Sequence, residues 1–326
     1  MRGTEAWAPG KLILFGEHAV VYGRPAIAVP VHQVQARARV SVGPPGQGCV
    51  VHAVDLGETV RIAQAPEDHP LALAVRLALK ALALEPAPDW TIQITSTIPV
   101  AGGMGSGAAV SAALIRALFR QAGQEPDPEC LSRLVYQVER IHHGTPSGID
   151  NTVIAHERPI WFVRGQPPEP FDPSRPFTLV IADSGIPSPT RETVAHVRQR
   201  WQQAPEHYEA LFDAVGAIVY AARGAMETGQ IEALGPLMDR NQALLRRLGV
   251  SAPELERLLD AAREAGALGG KLSGGGRGGN VVALVYPEDA PRVCAALERA
   301  GARHTWITTP GRGARPEEPL SPDPTP

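Results

Sequence analysis

Cysteine is the first shortage. The 326-residue chain has three, Cys49, Cys130 and Cys294, far apart and without a C-x-x-C pair. That spacing leaves no basis for a disulfide framework or a thiolate zinc site. It suits small apolar side chains in a reducing compartment. An excess of charge of one sign is also lacking: a net charge of −3 gives no electrostatic attraction to nucleic acid or an anionic membrane. No apolar run approaches the roughly 20 residues of a membrane span. The N-terminus, with Glu5 and no long apolar stretch, does not read as a secretory signal. A cytoplasmic, metabolic protein is expected. Glycine and proline are plentiful instead, 33 and 32 residues, largely in turns and in the C-terminal tail. With 44% hydrophobic and 20% charged residues the chain reads as globular, long enough for one large domain or two ordinary ones.

The most informative glycine-rich stretch runs from Pro99 to Ala109. Before it, Trp90–Thr95 alternates and is rich in β-branched residues, which predicts a strand. After it, Val110–Phe119 is rich in Ala and Leu and free of Gly and Pro, which predicts a helix. Strand, glycine turn and helix bring several backbone N–H groups to the positive end of a helix dipole, a good cradle for phosphates. Taken alone, such a turn is more often only a tight connection.

A second unusual segment, Ala8–Gly23, sets Lys11, Glu17 and His18 between two strand-like apolar runs punctuated by Gly10, Gly16 and Gly23. Unpaired ions among apolar strands are costly. Two readings stand: a surface hairpin whose Lys and Glu face water, or a pocket rim. In the second, Lys11 neutralises anionic oxygen while Glu17 and His18 hydrogen-bond a polar ligand. Strands are expected over 26–39 and 49–62, and a helix over 70–84 ended by Pro86 and Pro88. A helix over 128–141 runs into His142–Asn151. Glu139, in its last turn, opposes the helix dipole and hints at a nearby cation. His142 and His143 lack a suitably spaced third ligand, so zinc is not expected. Strands follow at 160–163 and 177–182, then a loop at 183–192 and helices at about 191–203, 206–227, 230–247 and 253–265. The glycine block Gly269–Asn280 leads into a closing strand–helix–strand, and the tail after Pro310 reads as disordered.

Two nucleotide-binding patterns fail or stay weak. Gly269-Gly270-Lys271-Leu272-Ser273 is not a P-loop, because Leu272 stands where Ser or Thr must follow Gly-Lys and Ala265 replaces the first glycine. Gly103-x-Gly105-x-x-Ala108 fits a dinucleotide fingerprint, but the acid about 20 residues on, Glu125, falls in a loop. A Rossmann-type oxidoreductase is a weak alternative.

Taken together, the segments resemble the GHMP-type small-molecule kinases, the family of galactokinase, homoserine kinase, mevalonate kinase and phosphomevalonate kinase. The resemblance runs through three ordered motifs at 8–18, 99–109 and 271–280. Within the family, Pro9–Val21 and Glu139–Asn151, with its HG-x-PSG-[IV]-DN core, are most similar to the mevalonate kinase branch. The resemblance implies a two-domain α/β fold with the active site in the cleft. A ribosomal-S5-like N-terminal domain would span 1–158 and a ferredoxin-like C-terminal domain 159–309, leaving 310–326 as a tail. It also implies ATP-dependent phosphorylation of the C5 hydroxyl of mevalonate with Mg²⁺, a step of isoprenoid biosynthesis. By position, Asp150 would act as general base or orient the hydroxyl, and Lys11 would stabilise charge on the transferring phosphate. Glu139 and Ser106 would hold the metal, and Glu17, His18, Ser147 and Thr190 would contact substrate. Gly102, Gly103, Met104, Gly105, Ser106, Gly107 and Ala108 would wrap the ATP phosphates, Ser273, Gly274 and Gly275 would also bind ATP, and Lys271–Gly279 would close the cleft from the second domain. The implied partner is a small molecule, with neither nucleic acid nor membrane, and a homodimer is compatible. Phosphomevalonate, homoserine or a sugar as acceptor are alternatives, as is a binding protein without catalysis. The joint presence of Lys11, Glu139 and Asp150 argues against the last.

The chain departs from the family pattern twice. Gly107 stands where a second Ser usually ligates magnesium, and Arg277 interrupts the third motif's glycines. Mg²⁺ readily keeps several waters, so losing one hydroxyl ligand need not abolish binding. Arg277 is read first as a solvated loop residue and second as an extra cationic contact to nucleotide.

Overall fold

The computed structural model describes residues 3–99, 102–143 and 147–310. The tail after Pro310 lies outside these residues, as do Val100, Ala101 and Gly144–Pro146 of the two motifs. Strand β1 (Thr4–Phe15) and the long β2 (Ala26–Val42) form an antiparallel pair. Between them the second apolar run, Ala19–Tyr22, is a 3₁₀ turn and not the expected strand. The cause is local: Gly16, His18 and Gly23 all take positive φ, which an extended chain cannot contain.

β3 (Val50–Ala53) and β4 (Glu58–Arg61) form a hairpin, followed by α1 (Pro70–Ala81), which opens on a proline in its first turn. β5 (Trp90–Ser96) leads into α2 (Ser106–Gln121), then α3 (Pro128–His143) and α4 (Ile149–His156). Short strands β6 (Ile160–Phe162) and β7 (Glu169–Pro170) complete a sheet ordered β4-β3-β5-β2-β6-β7, with β1 on the other edge of β2. Only the β3–β5 pair in it is parallel. That pairing excludes the dinucleotide-binding alternative, which needs a mostly parallel sheet. Ala108, Ala109, Ala112, Ala113 and Ala117 are all buried, and their small side chains let α2 lie directly on β1 and β2.

β8 (Thr178–Asp183) begins a second sheet. Helices α5 (Thr190–Gln203), α6 (Pro205–Thr228), α7 (Leu234–Leu248) and α8 (Pro253–Glu264) precede β9 (Gly269–Ser273) and β10 (Asn280–Val285). Helix α9 (Ala290–Arg299) and β11 (His304–Thr308) close the chain. The order β11-β8-β10-β9, antiparallel throughout, matches the ferredoxin-like expectation. The sequence boundary after 158 falls just ahead of β6, which still belongs to the first sheet. Among the described residues no helix is long and apolar enough to cross a membrane.

Candidate active site

Where the two halves meet, β1 runs past the loop that precedes α2. Lys11 N–H donates to the Met104 carbonyl at 3.0 Å, so the strand carrying the lysine is bonded to the glycine loop. Gly105, at φ +73°, makes this approach feasible: a Cβ there would lie 2.9 Å from Lys11 Cγ. The first turn of α2 has no side-chain cap, and Gly103 and Gly107 are exposed. The exposed Gly103 and Gly107 and the half-exposed Gly105 and Ser106 therefore leave backbone open at a helix N-terminus, which suits phosphate oxygens, whereas Gly102 N–H is bonded to Pro99 O at 3.4 Å and Gly102, Met104 and Ala108 are buried.

Lys11 Nζ stands 3.0 Å from Asp150 Oδ1. The lysine is almost wholly buried, while the carboxylate is partly open to solvent. Asp150 occupies the first turn of α4, which is fixed to its neighbours. Asn151 Nδ2 donates to Ser132 O at 3.2 Å and Ser132 Oγ at 2.8 Å, and Arg116 Nη2 donates to Ala155 O at 3.0 Å.

Glu139 is buried beside this pair and is not the solvated helix residue that its position could equally suggest. Burial pushes its carboxyl up to about 7, the Asp150 charge adding to the shift and Lys11 opposing it. A carboxyl held this high gains most from a cation, and its oxygen chemistry suits Mg²⁺. Gly107 faces it closely: a Cβ on Gly107 would sit 3.1 Å from Glu139 Oε1. The residues thus fit a magnesium ion held by Glu139 and phosphate oxygens, with the half-exposed Ser106 at the start of α2 as a further oxygen.

Two residues expected to contact substrate, Glu17 and His18, are engaged with the protein's own groups. Glu17 is fully buried and forms an ion pair with Lys271, which also donates to Leu272 O at 2.6 Å. Burial pushes the Glu17 carboxyl up and the Lys271 ammonium down, and each partner's charge opposes the other's shift. His18 is buried too, and burial brings it down to about 4, with Arg277 adding in the same direction. A neutral imidazole facing a carbonyl must donate, so its Nε2–H bonds Gly275 O at 3.0 Å. Both side chains face the other half of the molecule, because the turn after β1 inserts against β9. The surface-hairpin reading fails for the same reason.

The third motif divides. Ser273 Oγ donates to Ile13 O at 2.9 Å, and Asn280 Nδ2 donates to Gly102 O, so both ends of the motif hold the first half. Gly274 faces open space, while Gly275 packs against Thr190. Thr190 itself is exposed at the start of α5, 3.3 Å from Ser188 Oγ. Ser147 is exposed, and its Oγ accepts from Ile149 N–H at 3.3 Å. Arg277 donates through Nε and Nη2 to Gly249 O at 3.3 and 3.1 Å, capping α7. The structure thus brings Lys11, Glu139, Asp150 and the 102–108 loop together, with Asn280 of β10 bonded to that loop, while Gly275 lies against His18 and Thr190. The sequence placed Lys271 in the cleft-closing stretch and Asn280 at the end of the third motif, but not the pairing of Lys271 with Glu17 or the bond from Asn280 to Gly102 O. The signal available was a lysine inside an otherwise apolar strand, which must find a partner.

Comparisons with known proteins agree over most of the chain. The family profile "GHMP kinases N terminal domain" matches residues 71–157, and "GHMP kinases C terminal" matches 222–303. The mevalonate kinase of Pyrococcus horikoshii is 36% identical over 333 residues, covering 96% of this chain and 97% of the relative. That of Archaeoglobus fulgidus is 37% identical over 283 residues, covering 87% and 93%. Among solved structures, L. major mevalonate kinase in complex with R-mevalonate superposes with a TM-score of 0.81 at 31% identity, covering 94% of this chain and 95% of that one.

Proposed function

Because the chain belongs to the GHMP kinase family, we propose that it transfers the γ-phosphoryl group of ATP to the C5 hydroxyl of mevalonate, in isoprenoid biosynthesis. The observation that carries this reading is the Lys11–Asp150 ion pair, set beside Glu139 and the uncapped, partly exposed start of α2. The names of its relatives supply the acceptor.

Phosphoryl transfer depends on positioning and on neutralising charge more than on covalent chemistry. The 102–108 amides bind the phosphate chain, and residues 274–275 cover it from the second sheet. Asp150 accepts a hydrogen bond from the substrate hydroxyl and takes up its proton as the oxygen attacks phosphorus. The bond between the γ-phosphorus and the bridging oxygen breaks, and ADP leaves. Lys11, already paired with Asp150, offsets negative charge on the transferring group. Mg²⁺, when bound by Glu139 with Ser106 nearby, supplies further neutralisation of the phosphate oxygens. Thr190 and Ser147 lie at the exposed rim, where a polar acceptor enters. We divide the chain into a catalytic half built on the first sheet and a half built on the second that closes the cleft. A cytoplasmic setting, and a small molecule rather than nucleic acid or membrane as partner, belong to the same reading.

A coupled assay of ADP release across mevalonate, phosphomevalonate, homoserine and galactose tests it. Mevalonate should give the highest kcat/KM by at least about tenfold. No turnover with mevalonate, with another acceptor active, would reassign the enzyme within its family.

A further inference from the structure

The charges around the reacting groups extend one step further than the chemistry uses. Resting on the roles of Lys11 and Asp150 proposed above, we infer that Lys271 is a positioning residue: by pairing with Glu17 it keeps that carboxylate from drawing Lys11 off Asp150.

Four observations meet here. Lys271 reaches from β9 of the second sheet to the turn after β1, and neither it nor Glu17 has any exposed side-chain surface. The Lys271 ammonium contacts Glu17 Oε1 and Leu272 O only through hydrogen bonds within this dry contact. Glu17 Oε2 is buried and has no hydrogen-bond partner among the described residues, so the carboxylate retains unused accepting capacity. Lys11 is on the strand that ends in the same turn, its charge reaches Glu17, and its ammonium is committed to Asp150 at 3.0 Å. Along this line the charges alternate: Lys271, Glu17, Lys11, then Asp150 with Glu139 beside it.

Removing the first charge alters the balance for the rest. A buried carboxylate that loses its cation must take up a proton or recruit the nearest ammonium, whose pull is strong because the low dielectric screens little. Lys11 is the cation already felt by Glu17, and its long side chain can rotate. Asp150, partly exposed, has water as a substitute partner, whereas Glu17 has none. The competition therefore favours Glu17. A purely structural pair makes a different forecast, since deleting both members should then be no better for turnover than deleting one.

Steady-state kinetics on Lys271→Met, Glu17→Gln and the double variant separate the two, with kcat corrected for the folded fraction by circular dichroism. Lys271→Met should lower kcat at least about tenfold, with the KM for ATP little changed. Adding Glu17→Gln should restore most of that loss, and Lys271→Arg should fall between parent and Lys271→Met. Equal kcat in single and double variants overturns the proposal. Should Lys271→Met not fold, Lys271→Gln, which keeps an N–H on Glu17 without the charge, carries the same comparison. A crystal structure of the folded single variant reads the geometry directly. Lys11 moved onto Glu17 is expected, and Lys11 still on Asp150 overturns the proposal whatever the acceptor. A parent protein with no mevalonate turnover overturns only the assignment of function.

Discussion

Lys11 Nζ and Asp150 Oδ1 meet at 3.0 Å across the contact between β1 and the first turn of α4. Lys11 is carried by a paired strand and Asp150 by a helix bonded to its neighbours, so the pair is placed more firmly than loop residues would be. Asp150→Asn keeps the shape and removes the charge. It should lower kcat by about 10²–10⁴-fold while the melting temperature stays near that of the parent. Near-normal turnover in a folded variant would take Asp150 out of the chemistry.

Glu139 makes stability depend on pH. Its folded value of about 7 lies above the ordinary 4.5, so between these the native state holds a proton that the unfolded chain has released. Metal-free protein should therefore lose stability as pH rises through that window, by on the order of 1.4 kcal/mol per pH unit at most, and level off above it. Glu139→Gln should remove this fall in thermal unfolding. MgADP should raise the melting temperature of the parent more at pH 8 than at pH 5.5, a gain the variant lacks. Parallel pH profiles for the two proteins would show that the carboxyl is not perturbed.

Gly107 leaves room that a hydroxyl can use. A Cβ there meets only Glu139 Oε1, at 3.1 Å, so the carboxylate must yield by a few tenths of an ångström. Gly107→Ser should fold normally and lower the Mg²⁺ concentration needed for half-maximal activity, by adding an oxygen next to Glu139. An increased magnesium requirement would show that the displaced carboxylate matters more than the added ligand.

Arg277 is the interruption in the third motif, and its backbone is left-handed at φ +57°. That conformation costs roughly 1 kcal/mol for a side-chain-bearing residue, offset by its hydrogen bonds to the last carbonyl region of α7. Arg277→Gly removes both effects and should leave the melting temperature almost unchanged. Arg277→Ala keeps the strain without the bonds and should cost about 1–2 kcal/mol. Neither should alter the KM for ATP. A rise in both would make Arg277 a nucleotide contact.

The order of strands and helices was legible because the periodicities were clean, and the motif spacing placed Lys11, Glu139, Asp150 and the 102–108 loop. The turn after β1 was not. Gly16 and Gly23 were visible, but the left-handed His18 between them is set by its bond to Gly275, a residue remote in the chain. The partner of Glu17 was out of the sequence's reach for the same reason. The type and motif of Glu17 suggested a ligand contact, whereas its surroundings depend on Lys271, supplied by a strand from the other sheet. Spacing along a chain records what lies on one element. It does not record which charge from a distant element arrives to meet it.

The hydrogen bond from Lys11 N–H to the Met104 carbonyl has a mechanical meaning. In the reaction proposed above it joins the strand that would address the acceptor to the loop that would address the nucleotide, through main-chain atoms alone. The gap between donor phosphate and acceptor oxygen is therefore gauged by the backbone. Side-chain substitutions at positions 11 and 104 can change the charge or volume on either side of that gap, but they leave the ruler that sets its width in place.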